Sequence, residues 1–484
     1  MDFMRKSLFS KKSVHDLLED VSHDTHGLKR SLGATSLVAM GVGAIIGAGI
    51  FVLVGPAAAK FAGPGIVISY IIAAFLGLLA ALCYAEFSSL IPVSGSAYTY
   101  AYVSIGEFPA WLIGLALTLE YVCAFSSVAV GWSGYFVSLM NDIGINIPQY
   151  LDKSPLIYDH GWVLTHAIVN LPAVIIVGLI GFLVAIGIQT ASFINNILVF
   201  IKLTIISLLI IICFAFIDLK NWHPFIPPNT GTFGEFGVSG ILRGVGVVFF
   251  SFLGFDAVAT LAQEARNPRK DLPIGMLGSL GVSTLAFIGV ALILTGVVHY
   301  SQLDVPNSVA IVVNHLGPKF MWFRYLVNIS VIASLSSVIL VMLLAQTRIF
   351  YAMACDGLLP PGFAKIHQKY RTPFLNTIVV TIIGMIIVGF FPIDVIAQAA
   401  VMGALFVFGM VCLGILILRY TQPKLDRPFK TPLFPWVPIL GTLAVLGQMF
   451  LMPLVIWLQL LIWMFLGCIV YFAYGRHNSK IRNS

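Results

Sequence analysis

Three ionisable residues stand in stretches that are otherwise apolar: Glu120, Lys202 and Asp256. Glu120 lies about 16 Å along a helix counted from Pro109, at ~1.5 Å per residue, and Lys202 about 13 Å into its own segment. A charge at such depth in lipid costs at least about 2.5 kcal/mol on insertion scales, so each must face a partner, water or a ligand. A lysine held away from water can alternate between ammonium and amine, and so carry a proton without any metal. A midplane carboxylate can accept an ammonium or guanidinium, or bond neighbouring backbone and hydroxyls to shape a site for a neutral ligand. The plainer alternative for all three is a structural hydrogen-bonded pair. Asp256 fits that role or a gating one. Arg243 and Arg324 fall nearer segment ends, where they are expected to snorkel.

Glycines supply the second signal. Gly41, Gly43, Gly47 and Gly49 crowd one apolar segment, and Gly47 and Gly49 flank the small Ala48. Such spacing is ordinary helix-packing material. Two helix-weak positions in mid-segment also make a break plausible, and a break frees N–H and C=O groups that must find partners, such as a carboxylate and an amine. Gly244 and Gly246, followed by Ser251-Phe252-Leu253-Gly254-Phe255-Asp256, repeat the signal. Ser330, Ser334 and Ser337 share a helix stripe with Ser336 beside them; bonding back to their own helix is the simplest use of them. Gln346-Thr347-Arg348 reads as a gate or a cap. No P-loop or HExxH occurs, the ten histidines are scattered, and the six cysteines show no CxxC. No metal site, cofactor or enzymatic set is therefore expected, and the cysteines read as small buried hydrophobes.

The elements that must position these residues are membrane spans. Of 484 residues, 59% are hydrophobic and 10% charged, where a soluble domain carries about 25% charged. At about 20 residues per span, the apolar material suffices for about a dozen helices, which makes the chain an all-α integral membrane protein. Residues 1–30 form a polar, basic arm with a Leu17/Leu18 patch and without the apolar core of a signal peptide. Spans 1 to 5 fall near 31–55, 65–87, 109–140, 167–187 and 193–217, with the link between spans 4 and 5 near Ile188–Phe193. Residues 88–108 read as a polar loop with short helical pieces. Spans 6 to 10 fall near 238–262, 274–298, 323–351, 374–391 and 394–418, and Pro453 divides 431–475 into spans 11 and 12. Residues 31–217 and 218–418 thus make two five-span halves whose first members are the glycine-rich spans. That is the pattern of an inverted-repeat transporter, inferred here from spacing, since the halves share no residue-level identity. With both termini inside, including the tail at 476–484, twenty of the 27 basic residues are cytoplasmic and four external. That split fits the positive-inside rule and accounts for the net charge without nucleic acid.

Several phrases resemble those of the amino acid–polyamine–organocation transporters. They are Gly43-Ala-Ile-Ile-Gly-Ala-Gly-Ile-Phe-Val52, Tyr84-Ala-Glu-Phe87 with Pro92-Val-Ser-Gly-Ser-Ala-Tyr-Thr-Tyr100, and Phe249-Phe-Ser-Phe-Leu-Gly-Phe-Asp256. Glu264-Ala-Arg-Asn-Pro268, Asp271-Leu-Pro273, Gln346-Thr-Arg-Ile-Phe350 and Asp356-Gly-Leu-Leu-Pro360 complete the set. The likeness spans about 31–475 and is strongest to the bacterial cationic amino acid transporter branch. It implies a five-plus-five inverted repeat with two further helices. It implies that a free L-amino acid places its carboxylate on the N–H groups of Gly47, Ala48 and Gly49. The amine would meet carbonyls near Ile45 and Ile46 and a second break around Phe249, Phe250, Ser251 and Phe252, with Phe255 just beyond. Lys202 falls where proton-coupled relatives carry a lysine, which favours protons over sodium as the coupling ion. Ala48 stands where many relatives have Thr or Ser, removing a hydroxyl near the carboxylate.

The resulting expectation is a secondary amino acid permease of the bacterial inner membrane, with no obligate protein partner. Beside Glu120, the small Ala116, Cys123, Ala124 and Ser127 leave room for a side chain or for a neighbouring helix. Small neutral amino acids are favoured as substrates, with Glu120 shaping the site. Cationic amino acids or polyamines, carried by symport or exchange, are the alternative, and a non-transporting sensor is the alternative of another class. Ser336, Ser337 and Arg348 are assigned structural or gating roles.

Overall fold

Backbone polar groups in lipid have no water to bond, so a spanning chain satisfies them within helices. The computed structural model describes residues 8–13, 32–93, 95–158, 161–186, 188–305 and 307–483, and they are helical almost throughout. Helix α1 (Ala34–Ile45) stops early, and a π-helical stretch over Gly49–Leu53 resumes its path. After a turn at Gly63–Gly65 come α2 (Ile66–Leu90), the short α3 (Ser96–Ser104) and the long α4 (Glu107–Asp142). A two-stranded antiparallel hairpin, β1 (Leu156–Tyr158) with β2 (Trp162–Leu164), lies in the next loop. Then follow α5 (Leu171–Ile186), α6 (Ile188–Phe214) and α7 (Gly237–Phe249). The remainder comprises α8 (Pro268–Val297), α9 (Ser308–His315), α10 (Met321–Cys355), α11 (Phe374–Phe390) and α12 (Ile393–Thr421), then α13 (Trp436–Phe450) and α14 (Leu454–Val470).

Among the described residues, eight stretches are long and apolar enough to cross a bilayer, the first running from Ala34 to Leu90. Three shorter apolar helices, α5, α11 and α13, accompany them. Large apolar side chains such as Phe182, Leu285, Ile386 and Phe465 remain exposed around the periphery. An apolar surface that extensive calls for lipid rather than water. Helix α4 runs through the interior against α10 and α12, while α1 and α2 pack on α8.

Three local expectations need correction. Residues 96–104 are a wholly buried helix rather than part of a polar loop. The reason is that the tyrosines find partners inside: Tyr98 donates to Asp356 Oδ2 at 2.6 Å, Tyr102 to Glu107 Oε2 at 3.1 Å, and the Tyr100 ring stacks on Phe87. Residues 188–193, expected to link the fourth and fifth spans, are already helical as the start of α6. Arg324 does not simply snorkel but pairs with Asp142 at 2.6 Å, and Arg243 donates to the Leu451 carbonyl at 3.4 Å. Most of the arm, including Leu17 and Leu18, lies outside the described residues.

The described ends of the chain share one side of the bundle. Lys12 pairs with Asp356, and the Glu107 amide donates to the Ser10 carbonyl at 3.0 Å. From the other end, Ser479 bonds Glu107, and Arg482 Nε donates to the same carboxylate at 2.8 Å.

Candidate functional site

The first break follows from its glycines. Helix α1 ends as Ile46 turns extended (φ −77°, ψ 97°), and helical geometry returns only at Ala48. The amides of Gly47, Ala48 and Gly49 therefore open a new helix, where first-turn donors have no intrahelical acceptor. Such an end binds carboxylates readily. The π-helical turn beyond it is held by α4, whose Tyr135 hydroxyl donates to the Phe51 carbonyl at 2.7 Å.

In the second broken segment, Phe250–Phe252 form a tight helical turn after α7, Leu253 is extended, and Gly254 takes φ +109°. Helix then resumes over Asp256–Glu264. The discontinuity thus centres on 253–255, a few residues beyond the expected Phe249–Phe252. Gly254 is the cause: an L side chain rarely adopts its φ, and a Cβ there would lie 2.9 Å from Ala44 Cβ and 2.7 Å from Met342 Cε.

The two breaks touch. A Cβ on Gly49 would stand 2.5 Å from Ser251 Cα. The Tyr70 hydroxyl ties the pair, donating to the Gly49 carbonyl at 3.2 Å and lying 3.3 Å from Ser251 Oγ. Between the breaks, α4 and α10 is a cavity of about 10 Å³, lined by Ala44, Ile45, Gly47, Ala48, Gly49, Ala124, Val128, Phe250, Leu253, Val338 and Met342. That is room for about one water, so this arrangement is closed around its centre. Of the residues singled out from sequence, Ile45, Gly47, Ala48, Gly49 and Phe250 line it; Ile46, Glu120, Phe249, Ser251, Phe252 and Phe255 do not. Val338 and Met342 were missed, although they continue the Ser334 face of α10 at intervals of four.

Phe250 also lines a second, larger cavity of about 310 Å³, which includes Lys60, Arg243, Asp394, Gln398 and Gln448. One aromatic residue thus borders both spaces. Five separate segments build the larger cavity, which is why no sequence motif announced it.

The polar residues around the breaks divide into three groups. Lys202 is 1% exposed, and its Nζ donates to the carbonyls of Gly43 at 3.1 Å and Ile46 at 3.0 Å. Ser334 adds a 3.4 Å bond to the same Ile46 oxygen, so the carbonyl expected for a ligand's amine already carries two donors. Ser337 donates to Asn195 Oδ1 at 2.5 Å, whereas Ser330 and Ser336 bond back to their own helix and Ser336 also accepts from Trp132. Glu120 and Asp256 are both fully buried; Asp256 accepts from the Tyr121 hydroxyl at 2.5 Å. Arg348 lies apart, closing the end of the second broken segment through Glu264 at 2.5 Å and the Thr260 carbonyl at 3.2 Å.

Comparison with known proteins points the same way. A family model described as amino acid permease matches residues 32–475. The chain is 40% identical over 480 residues to the branched-chain amino acid permease BcaP of Bacillus subtilis (strain 168), covering 99% of this chain and 100% of that protein. It is 39% identical over 473 residues to a methylthioribose transporter of the same organism, covering 98% and 99%. A vacuolar cationic amino acid transporter 2 of Arabidopsis thaliana is 35% identical over 428 residues, covering 88% of this chain and 65% of the plant protein.

Proposed function

The chain belongs to the amino acid permease family, and from that premise we propose that it takes up neutral aliphatic amino acids by proton-coupled alternating access. It is a membrane transporter rather than an enzyme. The observation that carries the substrate reading is the lining of the central cavity. Apart from backbone, it presents only Ala, Val, Ile, Leu, Met and Phe side chains. A buried cationic side chain would need a counter-charge there, and Glu120 is not on that surface. The 40% identity to a branched-chain permease supports the same class.

The proposed binding mode places the substrate carboxylate on the N–H groups at Gly47–Gly49 and its ammonium on carbonyls of the two broken segments, the Ile45 carbonyl among them. The proton is assigned to Lys202, with no cofactor or metal. As an ammonium it ties the end of α1 to α6 through two carbonyls. On losing its proton it becomes a poorer donor, and the broken helix is freer to move. Alternating access then consists of relaxing that tie and opening the closed centre on one side.

We read the eight long stretches, the first counted twice at its Gly63–Gly65 turn, and the three shorter helices as twelve crossings. The two broken helices head two inverted five-span halves. The packing of both described ends on one side suits an even number of crossings, and the basic residues suit a cytoplasmic position for that side of a bacterial plasma membrane.

The test is competition for binding to the purified protein by Leu, Ile, Val, Ala, Ser, Arg, Lys and methylthioribose. We expect the aliphatic amino acids to compete best. Preferential competition by Arg and Lys, lost in Glu120→Gln, would establish the cationic reading instead. Preferential competition by methylthioribose would remove amino acids as the principal substrate.

A further inference from the structure

We propose that the two chain ends form a latch over the buried helix α3, and that the carboxyl-terminal tail must let go before the centre opens on that side. The latch has two anchors, Glu107 at the start of α4 and Asp356 at the end of α10, and each chain end grips both. From the arm, the Ser10 and Leu8 carbonyls accept the amides of Glu107 and Phe108, each at 3.0 Å, and the Lys12 ammonium pairs with Asp356. From the tail, Ser479 and Arg482 bond the Glu107 carboxylate, the latter at 2.8 Å, and the Lys480 amide donates to the Asp356 carbonyl at 3.1 Å. Glycines permit both approaches. A Cβ on Gly106 (φ +138°) would lie 2.6 Å from Phe9 Cα, and one on Gly357 (φ +81°) would collide with the Asn478 carbonyl.

Both anchors also hold α3. Tyr102 donates to Glu107 Oε2 at 3.1 Å and Tyr98 to Asp356 Oδ2 at 2.6 Å, while Lys11 bonds the Ser104 carbonyl at the end of α3. Helix α3 lies against α4, α12 and the Asp256–Glu264 segment, so it floors the bundle on the chain-end side of the second break. The helices that wall the central cavity end at these anchors. Ala124 lies about 25 Å along α4 from Glu107, and Met342 about 21 Å along α10 from Asp356, at ~1.5 Å per residue. A latch that holds α3 and the ends of both walls together therefore closes the side that bears the chain ends.

The chemistry of Glu107 gives the latch two positions. Its carboxylate is fully buried and accepts from Tyr102, from Tyr471 at 2.6 Å, and from Ser479 and Arg482 of the tail. Arg482 brings the balancing charge. Pulling the tail away leaves a buried anion without that cation, which favours either re-closure or the entry of water. The carboxylate is stable when paired or when hydrated, and costly when dry and alone between those states. The use of the latch rests on the transport reading above: the tail releases before the site empties on the chain-end side, and re-latches before the return.

Labelling of a cysteine on the cavity wall tests the latch without requiring transport. The probe is a membrane-impermeant maleimide, applied to full-length Met342→Cys protein in sealed membrane vesicles of either orientation, with mass spectrometry counting label at residue 342. Adding Arg482→Ala should speed labelling at least tenfold from the face bearing the chain ends and leave the other face unchanged. Arg482→Lys, which keeps a cation for Glu107, should restore most of the protection. Ser479→Ala removes one hydrogen bond and leaves the ion pair, and should give a smaller increase on the same face even if Arg482→Ala fails to fold. Unchanged labelling in the variants that fold would overturn the proposal. So would an increase from both faces, which marks general loosening. If labelling behaves as expected while neither Leu nor any other competitor named above crosses the membrane, the transport reading fails and the latch stands. If Leu is transported and labelling is unchanged, the latch alone fails.

Discussion

Replacing Gly49 with Ala perturbs the contact on which both broken helices depend. The added methyl would begin 2.5 Å from Ser251 Cα, where carbon atoms rest comfortably at about 3.5–4.0 Å. The obstacle is backbone, so the segments must part by about 1 Å or more rather than rotate a side chain away. Parting them stretches the Tyr70 contacts of 3.2 Å to the Gly49 carbonyl and 3.3 Å to Ser251 Oγ beyond useful hydrogen-bond length. Overpacking of this kind costs about 1–3 kcal/mol, and each lost hydrogen bond a net ~0.5–1.5 kcal/mol. In the proposed binding mode the breaks stay in contact around the substrate, and a combined penalty of about 2–6 kcal/mol on that state corresponds to roughly 30- to 20,000-fold weaker binding. Equilibrium binding of labelled Leu to purified Gly49→Ala, with size-exclusion chromatography to confirm folding, measures it. Wild-type affinity would show that this glycine serves helix packing alone and that the substrate does not require the breaks in contact.

Three further outcomes follow from the same geometry. Met342→Ala enlarges an apolar wall of the central cavity, and competition assays should show relative affinity moving toward larger side chains such as Phe; an unchanged order would remove Met342 from the substrate wall. Gly254→Ala must hold an alanine at φ +109° against Ala44 and Met342, and we expect uptake to fall at least tenfold, an outcome that near-wild-type uptake would contradict. Glu86 is fully buried and paired with Arg419 at 2.6 Å and Arg427 at 3.2 Å, and it accepts from the Thr431 amide. Glu86→Ala strands two cations, a change typically worth about 3–5 kcal/mol, and a thermal-unfolding midpoint matching wild type would refute that role.

The elements were largely legible because lipid allows the backbone few options. Uncharged length located most helices, and glycines in mid-span located the first break. Reading the second break was harder. Gly244 and Gly246 drew attention upstream, yet they make room for Ser69 and Gln448, and only Gly254 with its positive φ marks the discontinuity. Residues 96–104 were misread because tyrosines look polar in sequence, and their partners Asp356 and Glu107 become neighbours only in the fold. The serine stripe was half legible: spacing put three serines on one face, but only tertiary contacts separate Ser334 and Ser337, which reach across, from Ser330, which does not.

Proton coupling through Lys202 is tested most directly by accumulation of labelled Leu in proteoliposomes with an imposed inward proton gradient, comparing wild type with Lys202→Ala. The wild type should concentrate Leu above the external level, and do so only while the gradient lasts. The variant, still folded, should at most equilibrate Leu across the membrane. Accumulation by Lys202→Ala with the wild-type dependence on the gradient would contradict the assignment of the coupling proton to this lysine.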